Sequence, residues 1–467
     1  MKSSNISNLN IIKKVHFIGI GGSGMFPLAK ILHSKGFTVT GSDIYESDTL
    51  EKVKNLGIKV YLSQKKENIQ NPDLVVFSAA IKGSNPEIVA AKEKNIPIIE
   101  RSVMLGIIFK DYKNSVAVAG THGKTTTTSM ITSILLDSGK DPTAVIGATL
   151  KKISGNSCTG KSDIIVGEAC EYVDSFLQLF PMISVITNID ADHLDYFGNL
   201  ENVKKSFGKF ASQTQKLIVA NGDDENTRDS IKNTSIRKIF FGTNDNNDYV
   251  AQNIVFTKLQ QAQFDVFHKN KKISHIELTV PGKHNMYDAL AAFIVCSELG
   301  VPVLEIEHSL KEFTGAHRRF EILGQMHGIT VIDDFAHHPT EITATLSAAS
   351  NMGFNHVWAI FQPHTYSRTF MLMDDFAKAL SIADTAIVSE ILPVREVNTY
   401  GVSSEDLTNK IKSSIYIPNF EQITDFICKN AKKGDLVITL GGGNVYKCAN
   451  MIKESLEDRK STRLNSS

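Results

Sequence analysis

The sequence predicts an α/β protein made of three successive units, each with a mainly parallel sheet. Two observations carry that prediction. Short β-rich runs alternate with amphipathic helical stretches along the chain, and 467 residues match about three domains of ordinary size. A third observation sharpens it. In Val116 to Thr128, VAVAGTHGKTTTT, an apolar strand enters a Gly-bounded loop that ends in a lysine and a row of threonines, which suits a nucleotide triphosphate. Expected boundaries are 1–111, 112–316 and 317–460, with 461–467 a disordered polar tail.

The first unit opens with strand Val15 to Ile18, the loop GIGGSG and a helix from about Met25 to Ser34, followed by strand Thr38 to Thr40 and then Ser42 and Asp43. Gly19, Gly21 and Gly24 fit GxGxxG, and an acidic residue about 20 positions on fits the ribose end of a dinucleotide fingerprint. Alone, this suggests NAD. Strands Leu74 to Phe77, ending at Ser78, and Ile96 to Ile99, ending at Glu100 and Arg101, add polar tips. Ligands in such sheets sit beyond the carboxyl ends of the strands.

In the second unit Gly120 and Gly123 let the backbone turn and aim its N–H groups inward, with Thr121 and His122 between them. Lys124 supplies a point charge for the outer phosphates, and a hydroxyl at Thr125 or Thr126 suits Mg2+. The helix expected over roughly Thr126 to Ser138 aims its positive end at the same place. The strict GxxxxGK[ST] pattern is not met, because Val118 stands where its first Gly would be. Strand Ile164 to Gly167 ends at Glu168, Ile183 to Ile189 ends at Asp190, Asp192 and His193, and Leu217 to Ala220 ends at Asn221 and Asp223. Glu168 and His193 suit a Mg2+ or Mn2+ shell; His193 alone reads as a surface or capping histidine. In PGKHNMYDALAA, His284 and Asn285 read either as contacts to a base or as simple helix capping.

The third unit repeats the layout. Val331 and Ile332 lead to Asp333, Asp334, His337 and His338; His356 to Phe361 leads to Gln362, His364, Tyr366 and Arg368; Ala386 to Val388 leads to Glu390; Leu436 to Leu440 meets Gly441 to Gly443. Polar residues gathered at strand ends mark a functional edge. Arg318 and Arg319, just before, read as linker charges or as phosphate contacts.

Composition excludes other classes. Fifty basic and fifty acidic residues set up no global field towards nucleic acid or anionic lipid. Five scattered cysteines without a CxxC pair fit neither a disulfide framework nor a structural zinc site. The longest apolar runs fall short of the ~18 residues of a membrane span, and the Asn- and Ser-containing N-terminus does not read as a signal peptide. A cytoplasmic protein is expected.

The order GIGGSGM, GTHGKTTT, NIDADHLD, PGKHN, GAHRRFE, DDFAHHPTE and FQPHTYSRT resembles the Mur ligases of peptidoglycan synthesis, from about Lys14 to Lys453. The resemblance implies Rossmann-like first and third domains around a P-loop-type ATPase domain. It also implies joining of L-alanine to the lactyl carboxylate of UDP-N-acetylmuramate, with ATP converted to ADP and phosphate through an acyl phosphate. The first domain would then hold the UDP-sugar and not NAD, which makes Gly21, Gly22, Ser23, Ser42, Asp43, Ser78 and Arg101 candidate contacts. By the same resemblance Lys124 touches the ATP phosphates, Thr125, Glu168 and His193 serve the metal, and Asn285 lies by the adenine. Arg319 and Asp334 hold ATP from the third domain, and His337, His364 and Arg368 lie where the amino acid is recognised, with His337 or His364 as base. Two departures stand out: Cys170 replaces a carboxylate in EACEYV, and Asp288 stands where an asparagine is common. Three alternatives remain. A ligase adding recycled tripeptide to the same UDP-sugar would lack FQPHTYSRT, a dehydrogenase would leave GTHGKTTTT unexplained, and a non-catalytic nucleotide switch would not need GAHRRFE and FQPHTYSRT together.

Overall fold

The computed structural model describes residues 11–394 and 396–464. Its first sheet has the strand order Lys59–Tyr61, Thr38–Ser42, Lys14–Ile18, Leu74–Phe77, Ile98–Glu100, and all its pairs are parallel. Each return crossing in a parallel sheet needs a connection on a face. Helix Phe26–Ser34 supplies the first, burying Leu28, Ala29, Ile31 and Leu32.

In the second sheet, strands Leu217–Asn221, Ile183–Ile186, Asn114–Ala119, Ile164–Glu168 and Thr143–Leu150 run parallel in that order. The edge strand Gly155–Cys158 pairs antiparallel. Asn114–Ala119 is central and buried from Ser115 onward, as a strand covered on both faces must be. Farther along the chain, Phe241 and Gly242 pair with Tyr249 and Val250, and an antiparallel meander of Tyr249–Phe256, Gln261–His268 and Lys271–Pro281 follows. That meander is absent from the sequence reading.

The third sheet has the order Glu321–Met326, Ile329–Asp334, Leu436–Leu440, Val357–Phe361, Thr385–Val388, Ser414–Tyr416. It is parallel except for the hairpin at its first edge. Alternation places its two cores: Ile332, Phe361 and Ile438 pack in one cluster, and Val331, Ile360 and Val437 in the other. Successive strand residues point to opposite faces, so helices cover both.

By internal contacts the chain divides into two compact units. One holds the chain up to Ile189 with Val203–Phe240 and Ala291–Pro302; the other holds Asp190–Asn202, Phe241–Leu290 and the chain from Val303 on. The α/β class with largely parallel sheets is the one the sequence predicts. Three local differences have physical causes. The helix after the phosphate loop begins at Lys124 rather than Thr126, because Gly123 takes φ +85° and caps it directly. The strand expected to reach Ile189 stops at Ile186, where Thr187 turns to hydrogen-bond the His122 carbonyl. Helix Tyr446–Leu464 runs into the stretch expected to be a disordered tail; residues 465–467, and the N-terminal residues 1–10 read against a signal peptide, lie outside the described residues. Among the described residues no helix is long and apolar enough to cross a membrane.

Candidate functional site

The phosphate loop is held from below by Thr187 and Asn188. Thr121 N–H donates to the Asn188 carbonyl at 3.0 Å, His122 N–H donates to Asn188 Oδ1 at 2.9 Å, and Asn188 Nδ2 returns a bond to the His122 carbonyl at 3.1 Å. Gly120 sits at φ +141°, and a Cβ there would collide with the Thr187 hydroxyl. Only glycine fits. Helix Lys124–Asp137 leaves this loop with Thr125 and Thr126 in its first turn, both buried. Its N-terminal N–H groups and dipole favour an anion there.

Lys124 does not reach into solvent. Its ammonium donates to the carbonyls of Gly120 and Thr121 and to both oxygens of Glu171, at 3.1 and 3.0 Å. The pair is shielded, with side chains 17% and 2% exposed. Burial works against the lysine's charge, but the Glu171 carboxylate, helped by Glu168, outweighs it and holds the ammonium above its ordinary range. Glu171 is a partner the sequence reading missed. It stands three residues after Glu168 in the same EACE run, which was the available signal.

Glu168 ends its strand and accepts from Gly147 N–H. It lines a cavity of about 150 Å³ together with Ser23, Arg101, Asn156 and Cys170. The first-sheet candidates Ser23 and Arg101 and the second-sheet Glu168 thus share one space. Asn156 Nδ2 ties across it to the Ser23 carbonyl at 3.0 Å. Gly21 N–H donates to Asp43 Oδ2 at 2.9 Å, and a Cβ on Gly21 would lie only 2.9 Å from that oxygen. Gly22 N–H closes the turn on the Gly19 carbonyl, and Ser78 is half-buried beside Gly19. Ser42 departs from this set. It is fully buried, and its hydroxyl donates to Glu87 at 2.5 Å, so it braces the loop from the core instead of facing a ligand.

In the other unit Asp192, buried at the chain turn after Asp190, receives Arg368 Nη2 at 2.9 Å. Arg368 Nη1 lies 3.4 Å from His364 Nδ1, and the His364 and His337 rings are 6.0 Å apart. Burial pushes His337 down to about 3, Glu341 opposing it, and His364 down to about 4, with the Arg368 charge adding to the shift. Both imidazoles are neutral at pH 7. Burial works to raise Asp192, but Arg368 and the nearby histidines hold it well below the usual carboxylate range. His193 takes φ +54° at the start of the short helix Leu194–Phe197; its N–H donates to Asp192 Oδ1 at 2.7 Å. Glu168 belongs to the first unit and His193 to the second.

Three further candidates make contacts within their own unit. Asp334 accepts from Phe320 N–H, Ala336 N–H and the Thr345 hydroxyl at 3.1, 2.8 and 3.1 Å; burial raises it to about 6 against the pull of Arg319. Its carboxylate is turned inward. Arg319 lies over the Phe335 ring at 5.1 Å. Asn285, in the first turn of helix Lys283–Glu298, donates to the Pro281 carbonyl at 2.6 Å, which favours the helix-entry reading for its amide nitrogen.

A phosphate loop capped by a left-handed glycine, a buried lysine–carboxylate pair and a cavity lined from two sheets define a nucleotide-using α/β protein of several domains. Residues 14–113, 118–296 and 318–443 match, in order, the models for the Mur ligase family catalytic domain, the Mur ligase middle domain and the Mur ligase glutamate ligase domain. The UDP-N-acetylmuramate–L-alanine ligase of Caldanaerobacter subterraneus subsp. tengcongensis is 46% identical, with 97% of this chain and 99% of that one aligned. The protein of the same name from Acetivibrio thermocellus is 46% identical over 97% and 98%. Among solved structures, UDP-N-acetylmuramate-alanine ligase from Thermotoga maritima matches with a TM-score of 0.80 at 29% identity, covering 96% of this chain and 99% of that one. A murein peptide ligase from Psychrobacter arcticus matches with a TM-score of 0.72 at 26% identity, over 95% and 98%. The chain belongs to the Mur ligase family and is a ligase.

Proposed function

We propose that the protein joins L-alanine to the lactyl carboxylate of UDP-N-acetylmuramate, converting ATP to ADP and phosphate in the cytoplasm. The observation that carries this reading is the near-full-length similarity to relatives bearing that reaction in their names. The chemistry sets what the residues must do. A carboxylate is a poor acyl donor, because oxide would have to leave, so ATP first phosphorylates it. The amine then displaces phosphate. Lys124 and the helix N-terminus behind it neutralise charge on the transferring phosphoryl group. Arg101 and Ser23 place the UDP-sugar in the cavity that Glu168 lines. His337 and His364 are the candidate proton acceptors beside the attacking amine; the burial that keeps them neutral also lowers their basicity, so a bound substrate must raise it before either acts as base.

Thr125 and Glu168 offer hard oxygen donors within one unit, a donor set that suits Mg2+ or Mn2+. Such an ion would supply charge neutralisation at the phosphates. Gly147→Ala tests the Glu168 assignment without touching that side chain. A Cβ at Gly147 would lie 2.6 Å from Glu168 Oε2, and the mobile end of a glutamate yields easily. The expected result is a rise of about tenfold in the Mg2+ concentration for half-maximal activity, about one lost ligand contact, with thermal stability nearly unchanged. An unaltered metal titration contradicts the assignment.

The function itself is tested by phosphate release with ATP and UDP-N-acetylmuramate, scanned over free amino acids and the recycled tripeptide. L-Alanine is expected to give the highest turnover. With 18O in the lactyl carboxylate, one labelled oxygen is expected in the released phosphate. Unlabelled phosphate rules out the acyl phosphate, and faster turnover with tripeptide transfers the reading to the recycling ligase.

A further inference from the structure

We propose that Asp192 is a specificity-determining residue: together with Arg368 it recognises the incoming amino acid as a zwitterion, Arg368 taking the α-carboxylate and Asp192 the α-ammonium. This rests on the amino-acid ligase reading above and adds a residue that reads the other end of the same substrate.

The two charges form one buried element. Arg368 and Asp192 side chains are 12% and 9% exposed and meet at 2.9 Å, although 176 positions separate them in the chain. A guanidinium has five N–H donors in a planar fork, and the contact with Asp192 Oδ1 uses the Nη2 end. The remaining donors suit a second carboxylate. On Asp192 itself the load is uneven. Oδ1 takes both Arg368 and the His193 N–H, whereas the nearest ion-pair partner of Oδ2 is His193 Nε2 at 3.7 Å, beyond hydrogen-bond reach. Oδ2 is therefore the oxygen placed to receive an ammonium. Thr365 caps helix Tyr366–Met371, with the Arg368 N–H bonded to its hydroxyl. Arg368 is thus anchored at both its backbone and its head.

Electrostatics supply the selectivity. A bare, shielded guanidinium would attract any small carboxylate, and cells hold many without an amine. Asp192 cancels most of that field, so an anion arriving at Arg368 is also repelled by the neighbouring carboxylate. A zwitterion satisfies both groups at once. Rejection of the wrong ligand by a like charge is a common source of specificity, and it acts strongly where water is excluded. His364 and His337 stand at the same place, so an ammonium held by Asp192 lies beside two neutral imidazoles.

The test compares three ligands on wild type and Asp192→Asn: L-alanine as substrate, propionate as a carboxylate without amine, and L-alaninamide as an ammonium without carboxylate. UDP-sugar binding serves as the folding control. For Asp192→Asn the expected results are an L-alanine KM raised about 10- to 100-fold, propionate inhibition tightened about tenfold, and alaninamide inhibition weakened, as loss of one charged contact implies. The KM for ATP should stay within about twofold. A merely structural pair predicts that L-alanine and propionate weaken together; that result, or an unchanged L-alanine KM, overturns the proposal. If Asp192→Asn loses UDP-sugar binding, Asp192→Glu keeps the charge and must still exclude propionate. Tight propionate inhibition of Asp192→Glu also overturns it. Failure of the wild type to use L-alanine would instead refute the ligase reading.

Discussion

Lys124→Ala is expected to lower ligation by about a thousandfold while UDP-sugar affinity stays within a fewfold, the range seen when a transition-state charge contact is removed. The two readouts separate because the lysine stands on the phosphate loop, whereas the candidate sugar contacts Gly21, Asp43 and Arg101 belong to the first sheet and its loops. The structure adds a stability effect. Glu171, 2% exposed, would keep a buried charge without its ammonium, at a cost of about 3–5 kcal/mol. Lys124→Ala/Glu171→Gln removes that charge too, so it should recover most of the melting temperature and none of the turnover. Single-turnover phosphate release, calorimetric UDP-sugar binding and a thermal melt are the measurements. Near-normal ligation by Lys124→Ala contradicts the assignment.

Arg318→Ala is expected to destabilise the third-sheet unit by about 3–5 kcal/mol, the usual cost of breaking a buried ion pair from one side. Arg318 reads in the sequence as a linker charge or a phosphate contact, but its side chain is 10% exposed and directed inward. It donates to Asp333 Oδ2 at 2.7 Å and to the carbonyls of Gly443 and Gly441 at 2.8 and 2.7 Å. Asp333 also takes the Thr439 hydroxyl at 2.6 Å. One guanidinium therefore locks the GGG loop to the sheet, and a Cβ on Gly442 would come within 3.2 Å of the His337 ring. A lysine ammonium is compact and lacks the planar fork by which the guanidinium reaches acceptors lying in different directions, so Arg318→Lys should be nearly as damaging. The chain has one tryptophan, Trp358, in a strand of this sheet, and its fluorescence reports the unfolding midpoint in urea. A wild-type midpoint for Arg318→Ala contradicts the lock.

The sequence alone determined what is local. The phosphate loop was legible because strand, glycines, lysine and helix start lie within thirteen consecutive residues, Val116 to Thr128, and each has a backbone reason to be there. The parallel strands were legible because burial on both faces makes them continuous apolar runs. The antiparallel meander was not: Lys271–Pro281 alternates exposed and buried residues, with Lys, His and Glu on its solvent side, and so shows no apolar run. Tertiary structure alone decided the charge partners. Glu171 meets Lys124 across 47 positions, Asp192 meets Arg368 across 176, and Arg318 meets Gly443 across 125. It also decided the facing of Ser42, whose residue type suits a ligand contact but whose side chain is turned onto Glu87. The physical reason is common to these cases: burial makes an ionic or polar group depend on a partner, and strand order, which a linear string does not contain, chooses that partner.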